Sequence, residues 1–184
     1  MSGPKDFPRP GQRLKTGARD SMLRVDQAGE YGATRIYAGQ LAILGDRHPA
    51  ARAIHHMAAQ EERHRAFFDT MIAERRVRPT LLQPFWTVAG FALGAVTAAM
   101  GPDAAMACTA AVETEIDNHY QEQVDALGDS DPVLADAIRD FQAEEVEHRE
   151  HAIAAGAENV LGYPVLSGLI RLGCKVAIAA AKRI

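Results

Sequence analysis

Past residue 20 the chain carries a helical period: apolar residues recur at spacings of three and four, alanine is abundant, and β-branched residues are sparse. Such a pattern gives each helix one stripe to bury and predicts an all-α fold. Punctuation divides the chain into six helices. The first opens after Asp20-Ser21, either of which can cap it, and closes near Gly45. The second begins at Pro49, a favourable first-turn residue, and stops before Pro79. Pro84–Met100 forms a third, broken by Gly101-Pro102, and a fourth runs from Pro102 to about Leu127. Asp131-Pro132 supplies a cap and a first-turn proline for a fifth, reaching about Ala155, and a sixth runs from about Pro164 to the C-terminus. No alternating apolar run flanked by turn signals occurs, so no strand is expected.

Several stripes are interrupted by groups that ought not to be buried. Glu61 and His64 share a stripe with Ile54, Met57, Phe68 and Met71, and Glu145 and His148 share one with Leu134, Ile138, Phe141 and Ala152. Glu30 lies with Leu23, Thr34, Tyr37, Leu41 and Leu44, and Glu113 with Ile116, Tyr120 and Leu127. A buried carboxylate is costly unless it is paired or bound to metal. Neighbouring Glu62 and Glu144 fall among charged residues and read as solvated. Glu115 faces Asn118, His119 and Glu122, so Glu113 is the inward member of that pair. The separations also repeat: 31 residues from Glu30 to Glu61 and 32 from Glu113 to Glu145, as two similar helix pairs would give.

Each Glu-x-x-His pair projects from one helical face about a turn apart, so one carboxylate and one imidazole reach the same ion. One Glu from each of two helices, with Glu-x-x-His from each of two others, is the donor set of ferritin-like di-iron and di-manganese four-helix bundles. Carboxylates bridge two ions and neutralise their charge, and imidazole suits iron. The candidate metal ligands are therefore Glu30, Glu61, His64, Glu113, Glu145 and His148. On ligand chemistry alone an iron-storage or ferroxidase shell and a di-manganese catalase stay open. So does a purely structural bundle in which this spacing is fortuitous.

Composition adds constraints. With 184 residues, residues 20–184 read as a single domain and 1–19 as a flexible basic tail, weakly attracted to anionic lipid. The formal net charge of −4 gives no support to nucleic-acid binding. Cys108 and Cys174 form no zinc motif or disulfide framework. Between Pro79 and Pro102 no charged residue or histidine occurs, and the last helix is apolar with interspersed Arg171, Lys175, Lys182 and Arg183. Insertion of both into one leaflet is expected, with Phe85, Trp86 and Phe91 touching lipid; a buried bundle helix is the plainer alternative.

The stretch Arg24-Val-Asp-Gln-Ala-Gly-Glu30-Tyr-Gly-Ala-Thr-Arg-Ile-Tyr-Ala-Gly-Gln40 resembles the first ligand helix of the demethoxyubiquinone hydroxylases. Ala107-Cys-Thr-Ala-Ala-Val-Glu113, Asn118-His-Tyr120, Glu144-Glu-Val-Glu-His148 and Gly173-Cys-Lys-Val-Ala-Ile178 extend the likeness to the C-terminus. The resemblance implies a ferritin-like bundle with two added membrane-associated helices, holding two iron ions per chain, Fe2+ when reduced. Glu61 and Glu145 would bridge them, Glu30 and His64 would bind one, and Glu113 and His148 the other. The implied reaction uses O2 to hydroxylate the ring of a polyprenylated demethoxyubiquinol at the cytoplasmic face of the inner membrane, as a peripheral or monotopic protein. An electron donor is required, and helper proteins and a homo-oligomer are compatible with it. His119 and Tyr120 are candidates for proton relay or quinol contact, and Asp26 and Asp117 for partners of the ligating imidazoles.

Overall fold

The computed structural model describes residues 16–184, and every regular element among them is helical. The helices are α1 (Thr16–Leu44), α2 (Ala51–Arg75), α3 (Gln83–Ala99), α4 (Pro102–Leu127), α5 (Pro132–Ala154) and α6 (Tyr163–Ala181). A short 3-10 turn at Ala157–Asn159, unmarked in the sequence, links the last two. Proline and glycine set most of the boundaries. Gly45, Gly101 and Gly128 take positive φ at helix ends, and the Asp131 carboxylate accepts from the Leu134 N–H at 3.3 Å to cap α5.

The sixth helix ends at Ala181, short of the C-terminus, and two helix starts also differ from expectation. The first helix starts at Thr16 rather than after Ser21, so residues 16–19 of the expected tail are helical. Gly17 alone does not stop a helix that Ala18 and Arg19 continue, and Arg19 reaches Asp131 at 4.0 Å. The remainder of that tail lies outside the described residues. The second helix starts at Ala51, two residues beyond Pro49, which sits in the preceding turn.

The chain repeats itself in halves. In each, two antiparallel helices are followed by a third, apolar one that packs back on the first: α3 on α1, and α6 on α4. The four long helices form the bundle. Its core is two apolar clusters, one around Leu23, Phe68, Leu134 and Ile138, the other around Tyr37, Ile54, Met106 and Ala152. Along each long helix the two clusters flank one buried polar layer, where the six candidate ligands lie.

Helix α3 approaches α1 backbone to backbone. A Cβ on Gly94 would overlap the Ile36 carbonyl, one on Gly39 would overlap that of Phe91, and one on Gly90 would stand 2.9 Å from the Gly32 oxygen. Only glycine permits such closeness. Helices α3 and α6, in contrast, have no close backbone approach and share only apolar side-chain clusters, Trp86 with Ile178 and Ala181 and Leu93 with Ile170. Their outward faces are apolar, with Val88 70 % exposed on one and Leu169 64 % on the other. Helix α6 is long and apolar enough by composition to cross a membrane. Of the three aromatics expected to meet lipid, Phe85 stands clear. Trp86 is half-buried against Val25 and Ala28, and half-buried Phe91 lies beneath the Arg35 guanidinium at 5.5 Å.

The close crossing predicts that Gly94→Ala lowers unfolding stability by about 1–3 kcal/mol through overpacking. Gly168→Ala on α6, where nothing lies within 4 Å of the new Cβ, should be neutral or stabilising. Urea denaturation of the two variants checks the contrast.

Candidate metal centre

Each long helix contributes to the polar layer because its apolar stripe carries the carboxylate inward between core residues. Glu30, Glu61, Glu113 and Glu145 are at most 1 % exposed, and His64 and His148 at most 3 %. Two overlapping groups result, each with donor atoms within 4.8 Å of one another. One is Glu30, Glu61, His64 and Glu145; the other is Glu61, Glu113, Glu145 and His148. Glu61 and Glu145 belong to both. Glu115, set aside on its helical face, is absent from either.

Both imidazoles turn Nδ1 toward the carboxylates. His64 Nδ1 lies 3.1 Å from Glu145 and 3.4 Å from Glu30; His148 Nδ1 lies 3.2 Å from Glu145 and 3.3 Å from Glu61. Yet the two Glu61 oxygens and one oxygen each of Glu30, Glu113 and Glu145 accept no hydrogen bond. Buried oxygens of this kind are almost always satisfied in native proteins. A cation among them supplies what is missing, so the donor set fits a metal on this observation alone.

Charge crowding shifts the ionisation of the cluster. Burial, then the charge of Glu145, pushes Glu61 and Glu113 well above the usual carboxylate range. Burial also raises Glu30, against the pull of His64. Glu145 moves the other way: burial opposes it, but the His148 and His64 imidazoles beside it hold it low. For His64, burial favours the neutral ring, and Glu145 and Glu30 overcome it, raising the pKa to about 10. Burial and facing carboxylates keep Tyr37 and Tyr120 protonated. Tyr37 donates to Glu113 at 2.8 Å and Tyr120 donates to Glu30.

Other expectations about supporting residues need correction. Asp26 accepts from Gln123 at 2.6 Å and faces His119 at 3.5 Å, without touching either metal-facing imidazole. Asp117 pairs with Arg149 at 2.6 Å and Gln142 at 2.7 Å. The partner of His64 Nε2 is Glu144, at 2.8 Å, although its sequence neighbours suggested a solvated residue. His148 Nε2 meets the Gln60 carbonyl oxygen at 3.0 Å. Glu115 is buried too, paired with Arg171 at 2.6 Å and Lys175 at 3.7 Å on α6. His119 sits beside Asp26 and Gln123, one helical position from Tyr120. The charged helix neighbours of Glu144 and Glu115 concealed these contacts, since what each meets lies on another helix.

Beside the polar layer runs an apolar slot of about 770 Å3, walled by α3 and α6 and floored by α1 and α4. Ala28, Ile36, Trp86, Leu93, Val112 and Ile170 line it. A crevice too narrow for water continues from Ala33, Ile36 and Val112 to Tyr37 and Glu113.

Residues 18–181 match the protein family described as "Ubiquinone biosynthesis protein COQ7". The chain is 53 % identical to the 3-demethoxyubiquinol 3-hydroxylase of Rhodospirillum rubrum, over 95 % of this chain and 82 % of that one. It is 45 % identical to the human NADPH-dependent mitochondrial 3-demethoxyubiquinone 3-hydroxylase, covering 93 % of this chain and 80 % of the relative. Against the mitochondrial 5-demethoxyubiquinone hydroxylase of Saccharomyces cerevisiae, identity is 41 % over 90 % and 78 %.

The ionisation pattern gives a test of the cluster. A raised His64 stabilises the fold fully below pH 6.5, and that contribution is lost as pH rises toward 10. Raised Glu30, Glu61 and Glu113 act in the same direction above 4.5, whereas lowered Glu145 contributes a constant amount there. The metal-free chain should therefore melt at a lower temperature at pH 9 than at pH 6.5. Saturating divalent metal should remove that decline, because the ions replace the protons. A metal-free melting temperature that rises over this window would contradict the scheme.

Proposed function

The chain belongs to the COQ7 family of ubiquinone biosynthesis proteins, and from that premise we propose a di-iron monooxygenase that hydroxylates the ring of a polyprenylated demethoxyubiquinol with O2. The observation that carries the metal reading is the set of buried carboxylate oxygens without a hydrogen-bond donor, gathered around two imidazoles. Glu61 and Glu145 would bridge two iron ions. Glu30 and His64 complete one position, and Glu113 and His148 the other. When bound, the reduced pair supplies the electrons and the open coordination that activate dioxygen.

The chain's own residues do the remainder. The apolar slot suits an isoprenoid tail, and the crevice at Ile36 and Val112 leads from it to Glu113. The two tyrosine hydroxyls hold Glu113 and Glu30 in place and stay protonated beside them. The apolar layers above and below keep bulk water from the centre. His119 and Tyr120 lie together on the α4 face toward α1, the side on which a proton route would run through Tyr120 to Glu30.

A tail of this kind resides in lipid, and the outward faces of α3 and α6 flank the slot's mouth. We place the protein at the cytoplasmic face of the cell's inner membrane, peripheral or monotopic, with both faces in one leaflet. Residues 20–184 act as one functional domain, with the basic tail assisting at anionic lipid. An electron donor is required, and helper proteins and a second copy of the chain are compatible partners.

Two experiments test this reading. Cells lacking the protein should accumulate demethoxyubiquinone, corrected by the wild-type gene and not by Glu145→Ala; normal ubiquinone in those cells would refute the assignment. Separately, Val88→Asp with Leu172→Asp should move the protein from the membrane pellet to the soluble fraction, since each charge costs on the order of 1 kcal/mol or more in an apolar interface. Unchanged partition would count against lipid contact.

A further inference from the structure

The two metal positions have matched inner donors. Each has three carboxylates and one imidazole Nδ1, and in each the unshared carboxylate accepts from one tyrosine hydroxyl: Tyr120 on Glu30, Tyr37 on Glu113. The difference lies behind the imidazoles. His64 Nε2 meets the Glu144 carboxylate at 2.8 Å; His148 Nε2 meets the Gln60 amide oxygen at 3.0 Å. These contacts are not independent. The Gln60 Nε2 donates to the same Glu144 oxygen at 3.2 Å, and Arg63 donates to it at 2.6 Å.

Hydrogen-bond direction then follows along the chain of contacts. A carboxylate only accepts, so Glu144 keeps a proton on His64 Nε2, and Nδ1 is the nitrogen that gives up its proton to a metal. For the same reason Gln60 turns its NH2 toward Glu144, and its carbonyl oxygen is left for His148. That oxygen also only accepts, so His148 carries its proton on Nε2 and presents Nδ1 inward. One carboxylate on α5 thus sets the tautomer of two rings on two helices.

We infer that Glu144 is a positioning residue for both metal-facing imidazoles, directly at His64 and through Gln60 at His148, and that it makes the two metal positions unequal. A carboxylate behind an imidazole raises its basicity more than a neutral amide does. The position of Glu30 and His64 is therefore the tighter one. Arg63 is 57 % exposed at its side chain, so solvent screens its charge, whereas Glu144, 24 % exposed, is largely enclosed. This inference rests on the metal reading above.

The test is a titration of the full-length, metal-free protein with Co2+, followed by its visible absorption and by calorimetry. Wild type should take up two ions in separable steps. Glu144→Gln should weaken the tighter step about 10- to 100-fold and change its absorption band, with the metal-free chain still folded and melting cooperatively at a modestly lower temperature. Gln60→Leu should weaken the second step and spare the first. If Glu144→Gln does not fold, Gln60→Leu decides alone: loss confined to the weaker step supports the inference, and loss at both steps or at neither overturns it. Two wild-type steps that neither substitution moves would overturn the inference and leave the metal reading standing. A wild-type chain that takes up no cobalt overturns that reading, and this inference with it.

Discussion

Four carboxylates and two imidazoles in one layer of a helical bundle impose the constraint on which the rest depends. An ionised carboxylate moved from water into a protein interior costs several kcal/mol even after relaxation. Protons can meet part of that cost, which is why Glu61 and Glu113 are pushed so far up. A bound cation would meet it better, because it would also engage oxygens that no hydrogen bond reaches. The apolar clusters on either side keep the layer dry and therefore make the cost unavoidable. Metal binding at this layer would therefore add directly to the stability of the fold.

Much of this was legible in the sequence because the bundle is built on a single rule, the helical stripe. That rule separates Glu113 from Glu115 and Glu61 from Glu62 without any partner being known, and it places all six donors in one layer. It fails where a residue's surroundings come from another helix. Glu144 has charged neighbours on α5, yet the face it meets is that of Gln60, Arg63 and His64 on α2. On its own helix Glu115 faces polar neighbours, and its partners belong to α6. Asp26 and Asp117 each lie four residues from a candidate ligand, and that spacing does not fix direction across the bundle. The aromatics of α3 repeat the lesson, since Phe91 lies beneath Arg35 of α1.

The internal repeat gives the fold its economy. Each half supplies one lone glutamate, one Glu-x-x-His helix and one apolar helix, and the halves face each other across the shared carboxylates. Near symmetry produces matched inner donors. The departures from it lie around the layer: Glu144 behind one ring, Gln60 behind the other, and a crevice that reaches Glu113.

The glycine-mediated crossing of α3 over α1 has a mechanical consequence for the slot. One wall is fused to the bundle at backbone contact and cannot shift without pulling the first ligand helix with it. The opposite wall, α6, is held by apolar packing, by the Glu115 pairs, and near its end by Ser21 Oγ donating to the Lys182 carbonyl at 3.3 Å. With only side-chain contacts between the walls, the slot has one fixed jaw and one more compliant jaw. A bulky guest would then displace α6 more readily than α3, and the first ligand helix is the part of the carboxylate layer best shielded from the size of what enters.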